Sequence, residues 1–450
     1  MNPEFRRNLI LELSIHRLVA LPVILIVAFV ATNAVAGKEA VTLIATVALY
    51  LLLVLWGGRL ASEAVLGEVA ARTWDAQRLS AIGPWAMSWG KLVGTTVFAW
   101  YGALWSAPAY FWSGERNALD LLEITALGLF TQTVALFLSL LLLRAKPQGL
   151  RFQVTLVHLL ALLAVVAFHG LLDRLSELPG WEAGRWYGVA MAPATFRVAS
   201  ELTFLAWAVV GLHRMMRCEL QFRPGLAVRL AFIVFLAFYA GGLPGLSTVY
   251  GAAGWFTAFL ASGAAAYVAV FVEPKDFVHL TRLRYHWQQR DYKRVAGAVP
   301  TWIIAYLVAA LCGGIAIAVW SLRPGGFGDM EPALRLYLEM PRTGLPAFVV
   351  AALFFLLRDI GLIHFFTLDA RVRRGHLTSL VYLAVLYALV PLILSALKLE
   401  ELIPIAVPSP FGHPLVVTLP ALAQAAAALA LCVWRWRTLE RGGLGLAAPR

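Results

Sequence analysis

Apolar runs close to 20 residues long recur along this chain with few interruptions by charge, and no other feature restricts its fold so tightly. A hydrocarbon layer about 30 Å thick is crossed by roughly 20 helical residues, and only segments that satisfy their own backbone hydrogen bonds are stable there. Such runs lie near 18–36, 40–57, 92–112, 121–143, 152–172 and 196–213. Six more follow near 227–246, 251–272, 301–320, 345–366, 378–397 and 416–434. With 61% hydrophobic and 14% charged residues in a chain of 450, a soluble multidomain protein is excluded. The expected fold is an all-α polytopic membrane protein with about 12 transmembrane helices.

Charge placement orients these helices. Segments 1–17, 58–91, 144–151, 214–229, 273–300, 367–377 and 435–450 hold 27 of the 37 Lys and Arg residues, against 9 in the alternate loops. The positive-inside rule then puts both termini in the cytoplasm. The net charge of +12 is thereby a property of topology, with anionic headgroups as its neighbours and no nucleic acid implied. Residues 1–17 are too long and amphipathic for a signal-peptide n-region, so no cleavage is expected. Cys218, Cys312 and Cys432 form no CxxC pair and read as packing residues.

The halves 1–222 and 223–450 share an order of elements: two spans, a long charged cytoplasmic loop, two spans, a short basic loop, and two spans joined by a Pro-containing outer loop. Pro193-Ala194-Thr195-Phe196 and Pro408-Ser409-Pro410-Phe411 repeat a pattern at a displacement of 215 residues. Two parallel six-helix repeats are expected.

The first long loop, 58–91, carries the most information. Glu68 stands four residues before Arg72, the favourable order for a helical ion pair, and Leu66, Ala70 and Trp74 recur at the same spacing. This pattern predicts a short amphipathic helix beneath the membrane, broken at Gly83-Pro84, with Pro84 opening the next span. By itself such a helix need only rest at the headgroups, with Trp74 as an interfacial anchor. Glu68, Arg72-Thr73, Leu79-Ser80 and Gly90-Lys91 together resemble the corresponding loop of ABC-2 type ABC transporter permeases, and Asn2 through Arg17 is similar to that family's N-terminal connecting helix. The resemblance implies that 58–91 contains a coupling helix seated on a separate ATP-binding subunit. Glu68, Arg72, Trp74, Asp75, Arg78 and Lys91 would form the coupling set, with Trp74 as the apolar anchor. The counterpart loop 273–300 keeps an acidic start, Glu273 and Asp276, and a proline before the next span, but is more basic, with Arg282 and Arg284. If each repeat docks one ATPase, the two surfaces are not equivalent.

Chemistry of the chain's own is sparse. Gly90-Lys91 lacks the remainder of a Walker A loop, and no HExxH, GxSxG or EF-hand pattern is present. The chain is not expected to be an enzyme or to bind a cofactor; ATP and Mg would sit on the partner. His158 and His169 lie eleven residues apart on one span, on nearly the same face, where they could ligate a haem or metal; with no convergent ligands from other helices in the sequence they read instead as packing or polar contacts, and no metal is expected. His279 and His286 lie among arginines that disfavour a cation. Arg197 and Glu201 stand four apart at the outer start of a span, and Arg358 and Asp359 lie within one with His364 nearby. They are candidates for the translocation path or for structural pairs, the adjacent Arg358 and Asp359 pointing in different directions. Trp181, Trp186 and Trp255 suit interfacial anchoring.

The expected function is export of a substrate across a bacterial inner membrane, driven by ATP hydrolysed on a partner subunit, in two copies if one chain forms the pathway. A second copy of this chain is an alternative arrangement. The competing reading is a secondary transporter whose coupling groups are Arg197, Glu201, Arg358 and Asp359. A membrane enzyme built on His158, His169 or His364 ranks last, because no clustered carboxylates accompany them in the sequence.

Overall fold

The computed structural model describes residues 2–144, 150–176, 185–222, 225–243, 252–273, 277–322, 344–368 and 375–441. Nine helices among these residues are long and apolar enough to cross a bilayer. By length and composition, the chain is a multi-pass α-helical membrane protein. It divides into two compact units, Met1–Gly184 with Met191–Pro224, and Arg185–Ala190 with Gly225–Arg450.

The first unit begins with α1 (Pro3–Glu12), whose N-cap Asn2 accepts from the Glu4 and Phe5 amides. Next, α2 (Ile15–Leu49) runs through a π-helical stretch, Tyr50–Trp56, into α3 (Gly57–Ala70). This long run is not straight. Gly37 has φ +79°, accessible to glycine at little cost. On either side of it, Asn33 accepts from Trp112 and Thr42 from the Ser113 amide, while Leu21 and Leu52 both approach Gly102. The chain therefore reverses at Gly37, and its two arms lie against one helix, α5 (Pro84–Tyr110). Within the π-helical stretch the Leu53 carbonyl accepts from the Gln132 side chain of α6 (Ala118–Arg144) at 2.9 Å. With α7 (Leu150–Ser176) and α8 (Pro193–Glu219), these helices enclose a core around Val65, Met87, Leu136, Leu140 and Leu212.

α1 lies against the first turns of α5 because two glycines make room. A Cβ at Gly90 would sit 2.6 Å from the Glu4 Cβ and 3.0 Å from the Phe5 amide nitrogen, and one at Gly94 would sit 2.8 Å from the Asn8 Cβ. Glu4 and Asn8, one turn apart, are thereby buried on this face.

The second unit starts with a short hairpin that no hydropathy pattern predicts. Strands β1 (Arg185–Trp186) and β2 (Val189–Ala190) are joined by Tyr187 and Gly188, both at positive φ. Trp186 donates to the Tyr239 carbonyl and Tyr187 to that of Phe238, so the hairpin covers the end of α9 (Ala227–Gly241). There follow α10 (Ala252–Val272), α11 (Phe277–Gln288), α12 (Tyr292–Ala298) and α13 (Thr301–Leu322). The last helices are α14 (Gly344–Thr367), α15 (Gly375–Ala396, π-helical over Val385–Leu389) and α16 (Pro414–Arg441). α10, α13 and α14 meet around Phe259, Cys312 and Val349, and α14 meets α16 around Phe355, Val417 and Ala421.

The runs 18–36 and 40–57 are the two arms of one helical stretch that reverses at Gly37, as their separation by a tight turn implies. Among the described residues of the run 227–246, Ala227–Gly241 is helical, and these 15 residues rise about 22 Å, less than a bilayer core. The two Pro-x-x-Phe tetrapeptides differ in structure: Pro193 opens α8 with Phe196 buried, whereas Pro408–Phe411 lies outside any helix with Phe411 exposed. That match carries no structural equivalence.

The close approach of α1 to α5 is testable. Gly90→Val should lever α1 away, and trypsin should then cleave after Arg6 and Arg7 in the solubilised protein several-fold faster than in the wild type. Equal cleavage rates would show that the small side chain at 90 does not hold α1.

Candidate functional site

The predicted amphipathic helix spanning Leu66 to Trp74 does not form. α3 ends at Ala70, Arg72 has φ +58°, the Thr73 amide bonds the Glu68 carbonyl at 2.9 Å, and the Arg72 amide bonds that of Val69 at 3.1 Å. This is a Schellman stop, with arginine where glycine is usual. The chain turns, and the short α4 (Trp74–Arg78) folds back beneath α3 and α5. The expected Glu68–Arg72 pair is replaced by a network of longer range.

Lys91, on the second turn of α5, is fully buried. Its ammonium donates to Glu4 of α1 at 3.0 Å, to Glu68 of α3, and to the Gln77 amide oxygen of α4 at 2.8 Å. It also lies 5.2 Å from the centre of the Trp74 ring. Arg7 donates to Glu68 at 2.8 Å and to Glu4 at 3.3 Å, and the hydrogen bond to Glu68 holds its guanidinium above its ordinary pKa. Asn8 links Glu4 to the Gly90 carbonyl. Two carboxylates thus face two cations, so the network is formally neutral and each ion has a partner.

Among the coupling residues proposed from sequence, Glu68 and Lys91 meet in this network. Trp74 corrects the expectation: at 4% exposure it packs inside the unit and offers no ring to a partner. Arg72 shapes the turn. Arg78 donates to the Glu219 carbonyl at the C-terminus of α8, at 3.2 Å. Asp75 remains exposed, as does Leu79, 88% accessible at the tip of the loop.

The second loop has related local geometry. α11 ends with Arg290 at φ +54°, the Asp291 amide on the His286 carbonyl and the Arg290 amide on that of Trp287. A short helix, α12, and Pro300 follow, as α4 and Pro84 do in the first loop. Gln221 and Lys398 close helices in the same way, so the stop alone is not distinctive. Glu273 does not face outward; it accepts from the Thr301 amide and hydroxyl at the start of α13 and lies 3.8 Å from Arg229. Arg284 pairs with Glu440 at the surface, and Arg282 is exposed. Asp276 lies outside the described residues.

Two polar clusters occupy the helical bundles. Arg197 and Glu201 do not pair with each other: Arg197 bonds Glu123 at 3.0 Å and lies 3.5 Å from Asp173, while Glu201 lies 2.7 Å from His169 Nδ1. The carboxylates absent from the sequence neighbourhood of His169 are brought to it by α6 and α8. His158, about three turns away on α7, packs beside Gly58 instead. In the second unit Arg358 and Asp359, expected to diverge, bond one another at 2.8 Å. Asp359 also accepts from Tyr267 and, at 2.6 Å, from Tyr387, while Arg358 donates to Gln424 at 2.8 Å and lies over the Phe355 ring. Both Asp359 oxygens are engaged, which suits a fixed structural pair better than an exchangeable ion carrier.

No family model, curated protein or solved structure matches the chain.

Removing the network's central cation should be costly. Lys91→Met leaves Arg7 as the one cation facing Glu4 and Glu68, so a negative charge stays buried without a partner, and about 3–5 kcal/mol of stability should be lost, read as a large fall in thermal unfolding temperature in detergent. Arg72→Gly relieves a left-handed residue and should leave that temperature equal or slightly raised. A fall of similar size in both variants would contradict the assigned roles.

Proposed function

We propose that this chain is the membrane-spanning permease of an ABC-2-like transporter, a tandem of two six-span units in the bacterial inner membrane with both termini cytoplasmic. It exports a substrate while a separate ATP-binding subunit, carrying ATP and Mg, hydrolyses nucleotide. The Glu4–Lys91–Glu68–Gln77 network carries this reading. A loop that receives force from a motor must be locked to the helices it moves, and here one buried ammonium joins α1, α3, α4 and α5. Local displacement of α4 is thereby passed to three longer helices instead of being absorbed by the loop.

The docking face differs from that expected from sequence. With Trp74 internal, the surface offered to a partner is Arg72, Asp75 and Leu79. Leu79 supplies the apolar contact and the two charges set register. The duplication is supported by the loops: the left-handed arginines Arg72 and Arg290 and the prolines Pro84 and Pro300 recur at displacements close to that between the halves. In this reading the second loop docks a second ATPase copy through a more basic face that includes Arg282 and Arg284, with lipid covering the spans. Two copies of the chain around one pathway is the alternative assembly.

Ion-gradient-driven transport is the second reading, favoured by the His169–Glu201 pair, which can carry a proton. Reconstitution separates the two. With its ATPase in vesicles, Leu79→Asp combined with Asp75→Lys should reduce ATP-dependent transport at least tenfold while basal ATP turnover persists. Unchanged transport, or full transport in vesicles with no ATPase, would sink the permease assignment.

A further inference from the structure

Among the described residues, three groupings of buried or partly buried carboxylates are matched by cations: Glu4 and Glu68 by Arg7 and Lys91, Asp359 by Arg358, and Glu273 by Arg229. The grouping between α6, α7 and α8 is not. Glu123 and Glu201 lie on either side of His169 with a single guanidinium, that of Arg197, bonded to Glu123; the half-exposed Asp173 at the rim is open to water, and the two inner carboxylates keep one negative charge in excess while His169 is neutral. Glu201 is fully buried, and its Oε2 has no hydrogen-bond partner among the described residues. An unpartnered carboxylate oxygen in a protein interior costs more than an ordinary lost hydrogen bond, so the site as built calls for a further positive group.

We propose that Glu123, His169 and Glu201 bind a divalent first-row transition metal ion of the Zn2+ type. One ligand atom from each residue lies within 4.8 Å of the others. His169 Nδ1 is 2.7 Å from Glu201 Oε1 and 4.0 Å from Glu123 Oε1. Ligands about 2.0–2.1 Å from a tetrahedral zinc are separated by about 3.3 Å, so small rotations of two long side chains bring all three into range. Imidazole with two carboxylates selects Zn2+ and its neighbours over Mg2+ or Ca2+, which take oxygen ligands. A +2 ion offsets the excess carboxylate charge and engages the orphaned Glu201 oxygen. Arg197, on Glu123, and Asp173 beyond it then act as orienting partners. Exposure rises from Glu201 through His169, 30% accessible, to Asp173, 49% accessible, which gives an ion a path from the helix ends inward. The three ligands come from the start of α6, the end of α7 and the start of α8, so a bound ion would tie these helices at one face of the membrane.

The test uses the purified full chain in detergent with any affinity tag removed, treated with chelator and dialysed against Zn2+. Metal analysis should find one ion per chain in the wild type. His169→Ala and Glu201→Gln should each weaken binding at least about 100-fold, while His158→Ala, on the same helix, should not change it. Co2+ in the wild type should give d–d bands of nitrogen and oxygen ligation without the thiolate charge-transfer band that binding at a cysteine would produce. This spectrum does not depend on any variant folding. No stoichiometric binding, a thiolate spectrum, or undiminished binding by both ligand variants when they elute as monodisperse protein would each overturn the proposal. None of these measurements involves ATP or a partner subunit, so the permease reading stands or falls separately.

Discussion

Charge that leaves water must be compensated inside the protein, and this requirement organises the interior of both units. A buried ammonium or carboxylate costs several kcal/mol unless a partner of opposite sign and a set of hydrogen bonds replace its hydration. In the first unit the compensation around Lys91 draws in four segments distant in the chain, α1, α3, α4 and α5. In the second, Asp359 gathers Arg358, Tyr267 and Tyr387. Each cluster has few arrangements open to it, so each fixes the register of the helices that supply it.

Small residues make these arrangements reachable. Gly90 and Gly94 let α1 come close enough for Glu4 to meet Lys91, and Gly37 permits the reversal that places both arms of the N-terminal helical hairpin on α5. Apolar packing then holds the result, with Trp74 sealing the ammonium from below. The order of causes runs from glycine placement to helix approach, from helix approach to charge pairing, and from pairing to a loop that moves only with its helices.

The same requirement separates the two kinds of polar site. Where carboxylates and cations balance, as around Lys91 and Arg358, structural rigidity accounts for the residues present. Where they do not, around Glu201, the residual charge and the free oxygen point to a ligand. Balance of charge and completeness of hydrogen bonding are thus more informative than the mere presence of ionisable residues within a span.

Hydropathy and charge alone determined that the chain is helical and crosses a membrane repeatedly, because the bilayer's thickness and its lack of water act on every residue of a segment without reference to its neighbours. The special place of 58–91 was also legible, through Glu68, Arg72 and Lys91. What those residues do to each other was not. A spacing of four is the same whether a helix continues or stops at a left-handed arginine, so the pattern pairs Glu68 with Arg72, whereas its partners are Lys91 and Arg7, 23 and 61 residues away. Likewise His169 stood alone until α6 and α8 brought Glu123 and Glu201 beside it. Partnerships of this kind depend on helix packing, which is set by shape complementarity among many side chains and leaves no local periodic trace; only the tertiary structure decided them.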